Sequence, residues 1–329
     1  MSRRAGQSNH RAINWALNGG IAIVLLGVAC KPAERDTPPP ANATPFEVAR
    51  SGAARLIGVG DIGVCGAPGD EATARLADSV VKADTSRKIE TAVFTLGDNA
   101  YPAGLDRDFV ECFSSSWGDS SKSLMSLVRP AIGNHDYQSS HGAAYYRYFG
   151  ARAGPAFRGY YSYDIGDWHA VVLNSELLMN ESAAEVEKQA EWLARDLAAH
   201  PKRCTLAYFH RPRFSSGAHG SNRRMQSFWT ALYRQGVDLV LNGHEHHYER
   251  FKPQTSAGTA DSVNGMTEII AGTGGGSLTG IRSTLAPNSA AQIQGHFGIL
   301  VVLLSADEYR TAFIDTSGRV WDASGGKCH

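Results

Sequence analysis

From Ala53 onward the chain repeats one pattern: a run of Val, Ile, Leu or Phe that stops abruptly at Gly or Asn followed by polar residues. The runs are RLIGVGD at Arg55, AVFTLGD at Ala92, LVRPAIGNHD at Leu127, TLAYFH at Thr205, VDLVLNGHEHH at Val237 and TEIIAGTGGG at Thr267. Runs this short and this uniformly apolar read as strands buried on both faces. Between them lie segments with helical spacing; in EVEKQAEWLARDLAAH the positions Val186, Ala190, Leu193 and Leu197 fall on one face. Strands alternating with helices predict an α/β protein, and such sheets carry their sites where the strands end. Every polar cluster of this chain falls there.

Spacing gives the same picture. Asp61 to Asp98 is 37 residues, Asp98 to Asn134 is 36 and His210 to His244 is 34, each long enough for one strand, helix, strand passage. The 76 residues from Asn134 to His210 hold two such units, with HAVVLNSE from His169 as the strand between them. No second domain is visible, so residues 51–329 are expected to form one catalytic domain.

The first thirty residues read differently. A basic start is followed by IAIVLLGVAC from Ile21 to Cys30, the size of a secretory leader's apolar core and short for a bilayer span. Residues 1–30 are expected to be an export signal, with an uncleaved anchor and lipid attachment at Cys30 as alternatives. Gly27 stands where bacterial lipoproteins usually carry Leu, three residues before the Cys. Residues 31–50, with Pro32 and Pro38 to Pro40, follow as a Pro-rich linker. The product is therefore expected outside the cytoplasm: periplasmic, secreted, or lipid-anchored at the cell surface, with a lipid at Cys30 as its expected membrane contact where the leader is cleaved. Charge argues against nucleic acid as a partner. Lys and Arg match Asp and Glu at 32 each, and setting aside Arg3, Arg4 and Arg11 leaves 29 against 32, so there is no basic surplus to hold a phosphate backbone. Beyond the leader, Cys65, Cys112, Cys204 and Cys328 permit three disulfide pairings.

The strand ends offer Asp61, Asp98, Asn134, His210, His244 and His246, with Tyr101 three residues past Asp98. Singly, each has an ordinary role: an Asp after Gly caps a helix or turns a chain, and a His after an apolar run fills a core. Together they mix hard oxygen donors with imidazoles, which is the donor set a pair of first-row metal ions requires. Two ions about 3.5–4 Å apart also need a bridging ligand, which a carboxylate supplies.

In chain order GDIG (60–63), GDNAY (97–101), GNHD (133–136), the lone His210 and GHEH (243–246) resemble the five-block signature of the calcineurin-like metallophosphoesterases. GDNAY and the continuation GHEHHYER narrow the resemblance to the purple acid phosphatases, over residues 58 to about 276. It implies an αββα sandwich, two packed mixed β-sheets flanked by helices. It implies ferric iron (Fe3+) held by Asp61, Asp98, Tyr101 and His246, and a divalent metal (Fe2+, Zn2+ or Mn2+) held by Asp98, Asn134, His210 and His244, with Asp98 bridging. His135 and His219 match family positions that contact phosphate and assist the leaving group, and Asp136 stands next to His135 as a residue to orient it. The implied reaction is attack of a metal-bound hydroxide on a small-molecule phosphate monoester. Ala207 departs from the Val often found there, and no counterpart of the plant enzymes' amino-terminal accessory domain is seen, which leaves oligomeric state and substrate range open.

Tyr101 bears on the metal. A phenol with an ordinary pKa near 10 gives up its proton at neutral pH only to a strongly charged ion, which argues for the ferric state. Cys65 and Cys112 each follow an active-site strand end by a short loop and are the expected disulfide, with Cys204–Cys328 as the second. GTGGGS from Gly272 could let backbone approach the metal site, but it has no following helix to make a phosphate loop and is read as a flexible turn; His296 in QGHFG opens an apolar strand and reads as structural. Two other functions stay open: a phosphodiesterase or nucleotide hydrolase on the same metals, and a non-catalytic phosphate- or metal-binding surface protein.

Overall fold

The computed structural model describes residues 53–329. The leader (1–30), Cys30 and the Pro-rich linker (31–50) lie outside the described residues. Each apolar run is a strand. In chain order the strands are β1 (Ala54–Val59), β2 (Glu90–Leu96), β3 (Val128–Ala131), β4 (Tyr161–Ile165), β5 (Trp168–Val172), β6 (Cys204–Tyr208) and β7 (Leu239–Asn242). They continue as β8 (Tyr248–Phe251), β9 (Thr267–Ala271), β10 (Ser289–Ile293), β11 (Gly298–Leu304), β12 (Glu308–Asp315) and β13 (Val320–Lys327).

Two mixed sheets result, in the orders β13-β12-β11-β1-β2-β3 and β10-β8-β9-β7-β6-β5-β4. In the first, β1, β2 and β3 run parallel and β11 to β13 antiparallel. In the second, β5, β6, β7 and β9 are parallel, and β4, β8 and β10 antiparallel.

Side-chain alternation along each strand sorts the core into layers. Leu56 and Phe94 from one sheet pack with Leu206, Tyr208 and Leu241 from the other, filling the space between the sheets. Ile57, Val59 and Val93 face the opposite way, onto Ala74, Ala77 and Val81 of the helix Pro68–Arg87. On the far side Ala207, Phe209 and Val240 pack on Leu193 of the helix Ala183–Ala199 and Trp229 and Leu232 of the helix Gln226–Arg234. The order helix, sheet, sheet, helix is the expected αββα sandwich. Each fully buried Leu, Val or Phe in these layers contributes about 1.5–3 kcal/mol.

The helix Ala183–Ala199 differs from expectation at one position. Leu193 and Leu197 are buried, but Ala190 is exposed and Gln189 takes its place inside. The Gln189 amide accepts from Asn174 N–H at 2.8 Å and donates to Asn174 C=O at 3.1 Å, so a polar side chain satisfies a strand-end backbone that an alanine could not. Both expected disulfides form. Cys65–Cys112 (Cα–Cα 4.4 Å) ties the loop after β1 to the segment after β2, and Cys204–Cys328 (5.2 Å) ties the start of β6 to the end of the chain. Disulfides are the mark of an oxidising, extracytoplasmic compartment.

Candidate metal centre

The candidate ligands lie two to five residues past the ends of β1, β2, β3, β6 and β7, parallel strands of the two sheets. Parallel pairing between β1 and β2 continues beyond the strands, as Asp61, Ile62 and Gly63 donate their N–H groups to the carbonyls of Gly97, Asp98 and Asn99, each at 2.9 Å. Asp61, Asp98 and His244 take left-handed backbone conformations, with φ of 61°, 50° and 71°. A non-glycine residue there costs about 1–3 kcal/mol and persists only where its surroundings enforce it. Here the enforcement turns three side chains toward one another.

Each carboxylate is split between two tasks. Asp61 Oδ2 accepts the N–H of His244 at 2.8 Å, leaving Oδ1 3.2 Å from Tyr101 OH and 3.2 Å from His246 Nε2. Asp98 Oδ1 accepts the N–H of His135 at 2.7 Å, leaving Oδ2 3.3 Å from Tyr101 OH and 3.3 Å from His210 Nε2. The free oxygen of Asp98 therefore stands between the two groups of residues. Asn134 Oδ1 is 3.0 Å from His210 Nε2, and His244 Nδ1 is 3.1 Å from the same atom. Asp98, His210 and His244 together offer three donor atoms within 4.8 Å of one another.

The imidazoles are oriented from outside. His210 Nδ1 donates to the Leu96 carbonyl at 2.8 Å and His246 Nδ1 to the Ser277 carbonyl at 2.7 Å. A carbonyl can only accept, so in both rings Nδ1 carries hydrogen and Nε2 faces inward, the orientation usual for a metal-binding His.

The electrostatics follow from that crowding. Burial alone would lower His210, but Asp98 overrides it and raises the ring to about 9. Burial likewise opposes His246, and Asp61 raises it to about 9. Burial would raise Asp98, yet His210 holds it below the usual carboxylate range. Burial, then Asp61 and Asp98, push the Tyr101 phenol far above its ordinary value. Inward-facing Nε2 atoms thus meet inward-facing carboxylates at two places, one bounded by Asp61, Tyr101 and His246, the other by Asp98, Asn134 and His210. Both places call for positive charge, and the donors present fit a pair of metal ions.

His135 and His219 flank this set. His135 Nδ1 donates to the Pro102 carbonyl at 2.6 Å, and its Nε2 is 3.9 Å from Asp98 Oδ2. His219 is half exposed; its ring lies 4.4 Å from that of His244, and its Nδ1 is 3.3 Å from Glu245 Oε2. The expectation that Asp136 orients His135 is corrected. Asp136 is fully buried, and its carboxylate accepts from Asn99 N–H at 2.9 Å, Asn99 Nδ2 at 2.8 Å and Gly133 N–H at 3.0 Å. It fixes the loop that carries Asp98. The two residues are neighbours on the helix Asn134–Gln138, where adjacent side chains diverge.

The glycine run is also corrected. Gly272, Gly274, Gly275 and Gly276 are buried, and Gly276 N–H donates to the Asp61 carbonyl at 2.8 Å. A Cβ on Gly276 would meet His246 Cε1 at 3.0 Å. The run lets backbone approach the site and is no flexible turn. Arg211, Glu176 and Glu245 went unnoticed in the sequence. Arg211 Nη1 is 2.9 Å from His244 Nε2 and its guanidinium pairs with Glu176, while Glu245 accepts from His219 and Gly220. Glu245 is fully buried between the two histidines of GHEH, in a bend where strand alternation does not hold, so no pattern in the sequence marked it.

Residues 54–248, more than half of the chain, match the family described as calcineurin-like phosphoesterase. The chain belongs to this family. Calcineurin-like phosphoesterases work on dinuclear metal sites, and the Asp and His groups here are candidates for one. The chain is 29% identical over 229 residues to human acid phosphatase type 7, covering 60% of this chain and 48% of that one. It is 31% identical over 149 residues to purple acid phosphatase 15 of Arabidopsis thaliana, covering 41% and 27%. It thus spans about half the length of the human relative and about a quarter of the plant one. Among solved structures, purple acid phosphatase PPD1 from yellow lupin seeds aligns with a TM-score of 0.68 at 20% identity, over 84% of this chain and 54% of that one. GAP50, the anchor in the inner membrane complex of Plasmodium, aligns at 0.66 and 15% identity, over 84% and 89%. At those identities both alignments establish the fold, and the relation to purple acid phosphatases is distant.

Proposed function

We propose that this phosphoesterase hydrolyses phosphate monoesters through two metal ions. One observation carries the reading: Asp61 and Asp98 each commit one oxygen to a backbone N–H and turn the other toward Tyr101 and an imidazole. Asp61, Asp98, Tyr101 and His246 would hold the ferric ion, and Asp98, Asn134, His210 and His244 a divalent ion, Fe2+, Zn2+ or Mn2+. When bound, such a pair supplies Lewis-acid polarisation of the phosphoryl oxygens and an acidified water as nucleophile.

The chain's own residues do the rest. Asp61 adds negative charge on one side of Asp98, and Tyr101 would add more once an ion took its proton, while Asn134 and His244 are neutral on the other, so the two places differ in charge and suit ions of different valence. His135, anchored through Nδ1 on Pro102, keeps Nε2 beside Asp98, within reach of a phosphoryl oxygen. His219 is held at Nδ1 by Glu245, which leaves Nε2 to hand a proton to the departing alkoxide. The purple acid phosphatases among its relatives support the monoester reading, and the two disulfides support work outside the cytoplasm.

The test is metal analysis and a visible spectrum of the purified protein, with hydrolysis of an aryl phosphate compared with a bis-aryl phosphate. One iron and one divalent ion per chain with preference for the monoester is expected. Hydrolysis of the diester alone would overturn the reading.

A further inference from the structure

A groove of about 460 Å³ opens beside the candidate metal centre and shares Asn134 with it. We propose that this groove receives the alcohol half of the substrate and selects small, hydroxyl-rich leaving groups, with Arg211 as its specificity-determining residue. The proposal rests on the monoesterase reading above and names its substrate class.

Arg211 is the hinge between centre and groove. Its side chain is 15% exposed, while that of its partner Glu176 is fully buried. Nε donates to Glu176 Oε1 at 2.7 Å and Nη2 to Oε2 at 3.2 Å, a two-pronged pairing that fixes the guanidinium plane. Ser175 Oγ and Asn180 Nδ2 donate to the same carboxylate, so Glu176 has little capacity left for a ligand. With Nη1 beside His244, three of the five guanidinium N–H donors are spoken for. The remaining two are free for oxygen atoms of a ligand in the groove. Because Glu176 neutralises the charge of Arg211, those donors recognise hydroxyl and ester oxygens without demanding a second anion.

The rest of the wall has the same character. None of its side chains is aliphatic, and its two rings, Tyr137 and His141, both carry a polar atom hydrogen-bonded to Glu181. Gln138 presents an amide that donates and accepts; Asn180 presents its Oδ1, because its Nδ2 donates to the Glu176 carbonyl and Oε2, and Asn134 presents its Nδ2, because its Oδ1 faces His210. Donors and acceptors side by side are the pattern a vicinal diol satisfies. An aryl or alkyl group would strip water from these amides without replacing its hydrogen bonds. The rim is held in a costly shape: Ser140, His141 and Gly142 follow one another at φ of 48°, 55° and 83°. Glu181 stabilises that turn by accepting from Tyr137 OH and His141 Nδ1, both at 2.6 Å. Strained non-glycine backbone of this kind clusters at ligand clamps. The volume suits a polyol of roughly three to six carbons with some water.

The metal-loaded protein should be titrated calorimetrically with a polyol phosphonate and with phenylphosphonate, neither of which it can hydrolyse. Hydrolysis of glycerol 2-phosphate, a hexose phosphate and p-nitrophenyl phosphate should be measured in parallel. We expect the polyol phosphonate to bind about tenfold or more tightly than phenylphosphonate, and Arg211→Met and Asn180→Leu each to cut that ratio about tenfold. Asn180 is exposed, so its variant decides the matter if Arg211→Met fails to fold. Equal binding of the two phosphonates, or a ratio unmoved by the variants, overturns the proposal. Selective binding of the polyol phosphonate with no hydrolysis of any monoester would uphold the groove and overturn the monoesterase reading.

Discussion

Replacing Gly272 by alanine places a methyl group against the heart of the candidate centre. The new Cβ would stand 2.6 Å from Asp61 Oδ2 and closer still to the Glu245 carbonyl oxygen. Against an ordinary contact of 3.4 Å, the Asp61 approach alone is short by 0.8 Å (3.4 − 2.6). Neither neighbour yields freely, because Asp61 is tied to His244 N–H and the Glu245 carbonyl belongs to the turn carrying His244 and His246. Gly272→Ala should therefore displace Asp61 by about 1 Å, a misplacement that costs about 100-fold in rate, and should lower stability by about 1–3 kcal/mol through overpacking. Gly280→Ala is the control, since its Cβ would find only Gln294 Oε1, at 3.7 Å. The assay is kcat/KM on an aryl phosphate, metal content per chain and urea unfolding. Gly272→Ala with wild-type metal content and kcat/KM within roughly threefold of wild type would refute the reasoning.

Tyr101→Phe should bleach the visible charge-transfer band of a pink to purple protein; colourless, fully active wild type with two divalent ions would remove iron from the proposal. Asp98→Asn weakens both halves of the centre at once, so metal content and hydrolysis should fall together; a variant retaining both ions would rule out the bridge. His169 is sandwiched between Asp164 (2.8 Å) and Asp196 (2.9 Å), with His200 stacked on it and Lys202 beside Asp164. Burial opposes its protonation, but Asp196 and Asp164 raise it above its ordinary value. A raised folded value means stabilisation that is complete below about pH 6.5 and lost as pH rises through the raised value. Wild-type stability should fall over that rise relative to His169→Gln, which should itself be about 1–3 kcal/mol weaker at pH 6; parallel pH profiles would contradict this. Removing Cys204–Cys328, which closes a separation of 124 residues, by the double Ser substitution should cost about 4–5 kcal/mol in urea unfolding, and an unchanged midpoint would count against it.

The parallel strands and their ligand-bearing ends were legible because a run buried on both faces must be apolar throughout and must stop where the chain meets water. Of the antiparallel portions, β11 showed itself as the apolar run after His296, but the outer strands did not. β13 reads VWDASGGK, an edge strand of small and polar residues with no burial pattern to announce it. The contacts of Arg211 with Glu176 and of Glu245 with His219 join residues 35 and 26 apart, and no local rule reaches that far. Asp136 misled for the opposite reason: adjacency in sequence suggested a contact that helix geometry forbids. Gly272 to Gly276 misled because a run of glycines looks the same on paper whether it supplies freedom or close approach; only the position of Asp61 distinguishes them.

The hydrogen bonds that carry the β1–β2 pairing past the strand ends make Asp61 and Asp98 part of the sheet's own cooperative unit. The amides of Asp61, Ile62 and Gly63 are accordingly locked as firmly as those of the central strands, and their protons should exchange with solvent only when the sheet itself opens. Loops near catalytic centres are commonly the first parts of a protein to loosen on warming. Here Asp98, the carboxylate proposed to bridge, sits on the last part to let go, so heat should first loosen the groove rim at Ser140 and His141 and dull the proposed choice of substrate, while the candidate centre stays assembled until the whole sheet unfolds.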